Sequence, residues 1–408
     1  MKRILSVTGA LLLAVSLPQA AKAEITLGGD ARARLIYKDS YDFGNSPQDP
    51  FSYFDSRVRI RVEGRSAGGA FMKARVRLDD LKWDGQGWNA FQEDKNIWVD
   101  YGWIGVPMGP VTMEAGRMIA NFSKFFSWDN RPSRVKLTWK QEGLQLILLY
   151  DIKEEFVNDL DDLADNDFTA GGLVASYRFS EDWLLKGYLR YQWDDREWAP
   201  APDDSGEDRL VRRQDDNSGM LGSVHLAGKI AGFGLTTELA CRTADVIAAG
   251  REDDGWGWYA KLDYHWGSLT PSLNIGLTSD GYLADNDFGW IMLGNTQENP
   301  TAVISQVGTG GDWFWVAPSL SWAVTDRLDL QANLVWVDVD GSDEMDEKAD
   351  RLANLFELSG SVRYVLSEGA DFTVKAGYLQ PDFDGRLDSL GIQDDGAVGG
   401  YARLQIKF

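Results

Sequence analysis

The stretch Phe54-Asp55-Ser56-Arg57-Val58-Arg59-Ile60-Arg61-Val62-Glu63 changes character at nearly every step. Phe54, Val58, Ile60 and Val62 fall on one parity, and Arg57, Arg59, Arg61 and Glu63 on the other. Successive side chains of an extended chain point to opposite faces, so this is a strand with one apolar and one charged face. The preceding segment has the same build, with Leu27, Gly29, Ala31, Ala33, Leu35 and Tyr37 opposite Asp30, Arg32 and Arg34. After a turn over residues 66–69 it recurs, with Met72, Ala74, Val76 and Leu78 opposite Lys73, Arg75 and Arg77.

Arg or Lys facing lipid costs roughly 2 to 4 kcal/mol at a bilayer midplane, so the basic parity faces water. Apolar residues at every second position, over segments of about 9 to 11 residues, fit strands that cross a membrane. The same reading predicts strands near residues 95–106, 110–118, 133–140, 144–152, 168–179, 183–193, 218–229, 232–242, 256–266, 269–277, 312–324, 327–338, 354–366, 370–380 and 397–408. With the first three they make about eighteen, sixteen being the alternative if two are mistaken. Trp256, Trp258, Ala260, Leu262, Tyr264 and Trp266 against Gly257, Lys261, Asp263 and His265 form the clearest late case. Leu144 to Tyr150 is apolar on both parities, and its facing stays open.

Connections alternate as well. Short ones (64–69, 107–110, 141–143, 267–268, 367–370) exchange places with long acidic ones (38–53, 79–94, 153–167, 194–217, 278–311, 339–353, 381–396). The predicted fold is all-β: one transmembrane antiparallel β-barrel over residues 24–408, with short periplasmic turns and long extracellular loops. A count of 16 to 18 strands leaves an aqueous channel, whereas eight would be filled by side chains.

Composition agrees with this and excludes other classes. The 408 residues carry 41 Lys+Arg against 63 Asp+Glu, a formal net charge of -22, which argues against nucleic acid as a partner. A single cysteine, Cys241, excludes an intrachain disulfide framework and any multi-cysteine zinc site. Residues 1–23 read as a secretory signal peptide: Lys2 and Arg3, an apolar run from Ile4 to Leu17, then Ala21-Lys22-Ala23 as the cleavage site.

Rings cluster near predicted strand ends, at Tyr37, Trp103, Tyr177, Phe179, Trp183, Tyr191, Trp193, Trp256, Trp266 and Trp322. Such residues favour membrane interfaces, where an apolar body and a polar edge both find partners. The chain ends on Val398, Gly400, Ala402, Leu404, Ile406 and Phe408 at alternate positions, with Tyr401 inward by parity. This ending, with the opening Ile25-Thr26-Leu27-Gly28-Gly29-Asp30, resembles Gram-negative outer-membrane porins. The resemblance implies an outer-membrane location, passive diffusion of small hydrophilic solutes and ions, and recognition of the Phe408 strand by the barrel assembly machinery. It also implies a homotrimer, in contact with outer-membrane lipid and lipopolysaccharide, and the small residues Gly29, Ala31 and Ala33 offer a flat wall for it. A solute-specific uptake channel, for a carboxylate or a sugar, is the alternative.

Lumen chemistry follows from the polar parity. Arg32, Arg34, Arg59, Arg61 and Arg75 lie at similar heights on three adjacent strands and form a basic wall, extended by Arg57, Lys73, Arg77, Arg134 and Lys136. A basic wall attracts anions or carboxylates over a Debye length of about 8 Å. Acids of the loops (Asp159, Asp161, Asp162, Asp165, Asp167; Asp338, Asp340, Asp343, Glu344, Asp346, Glu347) instead gather cations at the mouth. In the resembling porins a third loop folds inward, its acids facing such arginines. The matching segment is 119–132, with Asp129 as its only acid. Three placements fit its Phe122, Phe125, Phe126 and Trp128: a constriction inside the barrel, a subunit contact, or a staple within the loop.

Other classes are weaker. An enzyme would need chemistry from His225, near Ser223 and Lys229, yet a lumen-lining histidine is the simpler reading, so no catalytic residue is expected. A receptor or adhesin with a plugged lumen would use the same loops. Asp338-Val339-Asp340-Gly341-Ser342-Asp343-Glu344 has its glycine at the fourth place where a calcium loop needs it at the sixth. No metal site and no cofactor are therefore expected, apart from weak Ca2+ binding by acidic loops.

Overall fold

The computed structural model describes residues 23–43, 50–83, 97–155, 167–195, 198–202, 208–212, 217–243, 246, 253–340, 352–383 and 395–408. Residues 1–22 of the segment expected as a signal peptide (1–23) lie outside them, as do Asp159, Asp161, Asp162, Asp165, Asp343, Glu344, Asp346 and Glu347.

The strands are β1 (Glu24–Asp39), β2 (Phe51–Arg65), β3 (Phe71–Trp83), β4 (Trp98–Met108), β5 (Val111–Arg117), β6 (Ser133–Gln141), β7 (Leu144–Glu155), β8 (Asp167–Arg178), β9 (Leu184–Asp194), β10 (Trp198–Pro202), β11 (Asp208–Arg212), β12 (Gly219–Ile230), β13 (Phe233–Arg242), β14 (Gly255–Tyr264), β15 (Leu269–Ser279), β16 (Asp312–Thr325), β17 (Leu328–Asp340), β18 (Leu352–Ser367), β19 (Ala370–Phe383) and β20 (Ala397–Lys407). Eighteen of them form one sheet, each antiparallel to its neighbour. β9 pairs with β12, the hairpin β10–β11 standing apart, and β20 returns to β1 with Ala33 opposite Leu404, which closes the barrel. Closure removes the sheet edges that lipid could not solvate. The eighteen strands lie where alternation places them.

Large apolar side chains of the outward parity are exposed in the isolated chain, among them Leu35, Val224, Leu239, Leu358 and Leu404. Acyl chains cover this face. On β7, Leu148 and Tyr150 face outward whereas Leu149 is buried inside, which resolves the strand whose parity is ambiguous in sequence. Tyr401 is buried within the lumen, and the carbonyl of Phe408 accepts from the Gly29 amide at 2.8 Å where the two termini meet.

One end of the barrel carries tight turns. Ala231 and Gly232 between β12 and β13 both have positive φ (50° and 86°), the conformation whose twist matches an antiparallel hairpin. The other end carries the long connections. β3 and β19 continue into stretches expected as loop, and β14 stops at Tyr264, so His265 and Trp266 belong to a turn.

The aromatic-girdle reading fails at Trp103. Register slips between β3 and β4, where Arg75 faces Tyr101 but Val76 faces Val99, leaving Asp100 as an extra, bulged residue. Asp100 and Tyr101 are therefore both buried despite being adjacent, and the Trp103 indole, inward like Tyr101, donates to Glu114 at 3.1 Å.

The hydrophobic core lies inside the barrel. It gathers Phe122, Phe125 and Phe126 from the β5–β6 connection, Tyr282, Phe288, Ile291, Met292 and Leu293 from the β15–β16 connection, and inward residues such as Tyr259, Trp315, Val337 and Leu379 of the wall. Both connections turn into the lumen.

Candidate functional site

On β1 to β3 the register sets cation against cation: Arg32 faces Arg57, Arg61 faces Arg75 and Arg59 faces Arg77. Like charges directly opposite destabilise a sheet, so carboxylates must intervene. Asp30 accepts both Arg59 Nε contacts at 3.0 Å and has Arg57 at 3.6 Å. Asp100, delivered by the bulge, is shared by Arg75 at 2.5 Å, Arg77 at 3.0 Å and Arg131 at 3.2 Å. Asp55 takes Arg34 through both oxygens, and Asp151 takes Arg134 the same way at 2.5 and 2.9 Å. Arg190 reaches Asp151 only at 3.5 Å. Lys136 pairs with Glu114 at 2.7 Å and Lys73 with Glu63 at 3.1 Å. Guanidinium groups outnumber the carboxylates they share at Asp30, Asp100 and Asp151, so each cluster keeps a positive excess. The sequence reading picked out the cations but missed Asp100, Glu114, Asp151, Arg131 and Arg190. Only the bulge brings Asp100 to its partners.

Segment 118–132 forms a hairpin inside the lumen, with bridges Ala120–Asn130 and Ser123–Ser127. Phe125 packs on Tyr259, Tyr282 and Phe288 with ring centres 4.9 to 5.4 Å apart, and Phe122 and Phe126 pack edge-on against Tyr188. Trp128 donates its amide to Asp285, and Asp129 holds Arg131 at 2.5 Å. The Ser123 hydroxyl donates to the fully buried Glu238 of β13 at 2.6 Å, while Lys186 donates to the Phe122 carbonyl.

Residues 280–311 make a second inward loop, which composition presents only as one of several acidic connections. Glu357 of β18, fully buried, accepts from the amides of Ile291, Met292 and Leu293 at 3.0 to 3.1 Å. Tyr41 donates to the Thr301 carbonyl, and Lys375 donates to Asn299. The Asp285 amide donates to the Phe125 carbonyl at 3.0 Å, joining the two loops. Burial raises the Asp285 carboxyl although two amides donate to it, and burial beside Asp285 pushes Asp287 up to about 6. Burial would also raise Glu298, but Lys375, Lys124, Arg403 and Lys407 together hold it below its ordinary value. A signal for this docking does exist in the sequence: glycines on the inward parity. A Cβ on Gly257 would lie 2.6 Å from Tyr282 and 2.8 Å from Phe125, and one on Gly377 would lie 2.5 Å from Met292.

His225 lies in this same framework. Its Nδ1 is 3.0 Å from Glu238, and the Ser223 hydroxyl donates to Glu238 at 2.6 Å rather than to the imidazole. A nucleophile–base hydrogen bond is thus missing from the Ser223–His225 pair. Glu238 gathers Ser123, Ser223 and His225 into a tether for the first loop.

Between that loop and the wall from β5 to β13 lies a chamber of about 810 Å³. Arg117, Arg131, Arg134, Lys136, Lys153, Arg190 and Arg242 line it, with Asp285 as the carboxylate.

A family model described as Gram-negative porin matches residues 8–342. No curated protein matches the sequence significantly. Among solved structures, OpdQ of Pseudomonas aeruginosa aligns with a TM-score of 0.60 at 12% identity, covering 94% of this chain and 98% of that one. OpdL of the same organism gives 0.59 at 13% with the same coverage, and a BenF-like porin from Pseudomonas fluorescens gives 0.58 at 8%, again over 94% and 98%. At such identities these three attest the barrel alone. The family match over most of the length, on a closed eighteen-stranded barrel with a charged interior, establishes that this chain belongs to the Gram-negative porins and resides in the outer membrane.

Proposed function

We propose that the protein is a diffusion channel whose path follows the basic wall and which favours small hydrophilic anions, carboxylates among them. The observation that carries this is the excess of guanidinium over carboxylate at Asp30, Asp100 and Asp151 on the inward face of the early strands. A residual positive field in a narrow, partly desolvated passage raises the local concentration of counterions without binding them so tightly that they cannot leave. Size exclusion comes from the two loops. Of the acids along them, Asp129 pairs with Arg131 and Asp285 lines the chamber beside the cations. Passage needs no covalent step, and the tether role of Glu238 accounts for His225 and Ser223 without catalysis.

The test is the reversal potential of single channels in a KCl gradient. The expected sign is that of anion preference, reduced when Arg59 and Arg75 are both replaced by Gln. Cation preference in the unaltered protein, or no change on that replacement, would remove the proposal. Swelling rates of protein-containing vesicles in small monocarboxylates and in neutral sugars of equal mass measure the accompanying solute preference.

A further inference from the structure

The seam that closes the barrel stops short of its turn end. β20 meets β1 with Asp30 opposite Lys407, and the Gly29 and Phe408 backbones exchange hydrogen bonds at 2.8 and 3.1 Å. β1 begins earlier, at Glu24, and residues 24–28 pair only with β2 among the described residues, Glu24 opposite Arg65 and Gly28 opposite Arg61. Alternate residues of an antiparallel strand turn their N–H and C=O to opposite sides. Gly29 turns its pair toward β20, so Leu27 and Ile25 turn theirs the same way, into a lane that holds no strand among the described residues. Five residues at about 3.3 Å each give this lane a length of roughly 16 Å.

Unpaired backbone groups are costly in hydrocarbon, so the lane stands in water, at the end whose short turns face the periplasm. Ile25 and Leu27 nevertheless point outward and are 55% and 66% exposed, and the Phe408 ring, seated over Gly29, is 69% exposed. A strand edge flanked by exposed apolar side chains is a template for one more strand. The inward parity of the same segment is polar. Thr26 and Glu24 are both exposed, and Glu24 has no ion pair among the described residues, whereas Glu63 is held by Lys73 at 3.1 Å.

We propose that residues 24–28 bind an extended segment of a periplasmic protein by β-strand addition. The added strand runs antiparallel to β1, along the line that β20 would follow beyond Phe408. Counted from Phe408, its second and fourth residues exchange hydrogen bonds with Leu27 and Ile25 and set apolar side chains beside theirs. Its third residue faces Thr26, and its fifth, a Lys or Arg, meets the carboxylate of Glu24. A second copy of this chain is a poor occupant. In the same membrane its own free segment runs in the same direction, whereas each pair in this barrel is antiparallel.

The probe is the acetylated pentapeptide Thr-Val-Thr-Val-Lys with a fluorophore on its C-terminal amide, followed by fluorescence anisotropy against the protein purified from outer membranes in detergent. N-methylation of both valines removes the two donors aimed at β1, and binding should weaken roughly tenfold or more. N-methylation of the second threonine and the lysine puts the methyl groups on the far edge and should leave affinity unchanged. Leu27→Pro removes a donor that β2 does not use, a change that edge strands tolerate, and should weaken the peptide by a similar factor. Glu24→Lys should weaken it as well, and the reversal potential and heat-modifiable migration of both variants should match the parent's. Equal loss from the two methylated peptides would mean adsorption to apolar surface and overturns the site. So does undiminished binding to folded Leu27→Pro, or no saturable binding of the unmodified peptide below about 1 mM.

Discussion

The two sides of the lumen, β1 to β9 and β12 to β20, are built from the same alternation and end in opposite states. On the first, inward positions carry arginines that oppose arginines, interleaved with Asp30, Asp55, Asp100 and Asp151. On the second, inward positions carry Tyr259, Trp313, Trp315, Val335, Val337, Leu355 and Leu379, all buried under the two loops. The only charged groups placed deep in that half, Glu238 and Glu357 among the described residues that are at most 1% exposed, accept hydrogen bonds from the loops themselves. The lesson is that strand number sets how wide a barrel is, whereas the anchoring of its inward loops sets how much of that width is open.

The largest effect should come from unpinning the second half. Glu357→Leu leaves the amides of Ile291, Met292 and Leu293 without their acceptor, at about 1 to 3 kcal/mol for each buried group left unmade. Single-channel conductance should rise several-fold and the unfolding temperature in detergent should fall. Conductance identical to the parent's would break the contrast between a charged and an apolar, loop-filled side.

On the first side, Asp100→Asn removes the charge shared by Arg75, Arg77 and Arg131. Stability should fall by about 3 kcal/mol, the cost of leaving buried charges uncompensated, while surviving channels become more anion-selective in a salt gradient. A shift toward cations would contradict the positive excess.

A smaller effect belongs to pH. Asp287 is held up to about 6 in the folded protein, against 3.8 for a free carboxyl, so its protonated form is the one favoured by folding. Loop stability is then greatest below pH 4 as far as this group is concerned, and declines as pH rises from about 4 through 6. Asp287→Asn should flatten that decline in amide exchange of residues 280–311. An unchanged profile would remove Asp287 as the cause.

The smallest effect is expected at the turn end, where Arg363 and Asp329 pair at 3.3 Å with both side chains half exposed. Arg363→Ala should change stability by less than about 1 kcal/mol. A larger loss would mean that the turn end contributes to the barrel as the buried clusters do.

Much of the barrel was legible because strand alternation is a property of neighbouring residues. Arg57, Arg59 and Arg61 announce a watery face beside Val58, Ile60 and Val62 wherever the strand ends up. Asp100 was not legible as a partner of the wall, since a bulge shifts parity by one within its strand, and Arg190 was not because its place beside Asp151 depends on the pairing of β7, β8 and β9. The loop over residues 280–311 escaped for a different reason. Its anchor, Glu357, lies far along the chain, and a carboxylate meant for three backbone amides looks in sequence like any other lumen acid.

Residue order alone carries a membrane barrel of about eighteen strands, its two faces and the basic character of its early wall, because a period of two and the cost of charge in lipid are local facts. Which connections turn inward, where glycines 257 and 377 receive them, and how guanidinium groups divide the carboxylates emerge only in the folded barrel. Those outcomes depend on a local bulge and on segments far apart in the chain that are brought together by folding.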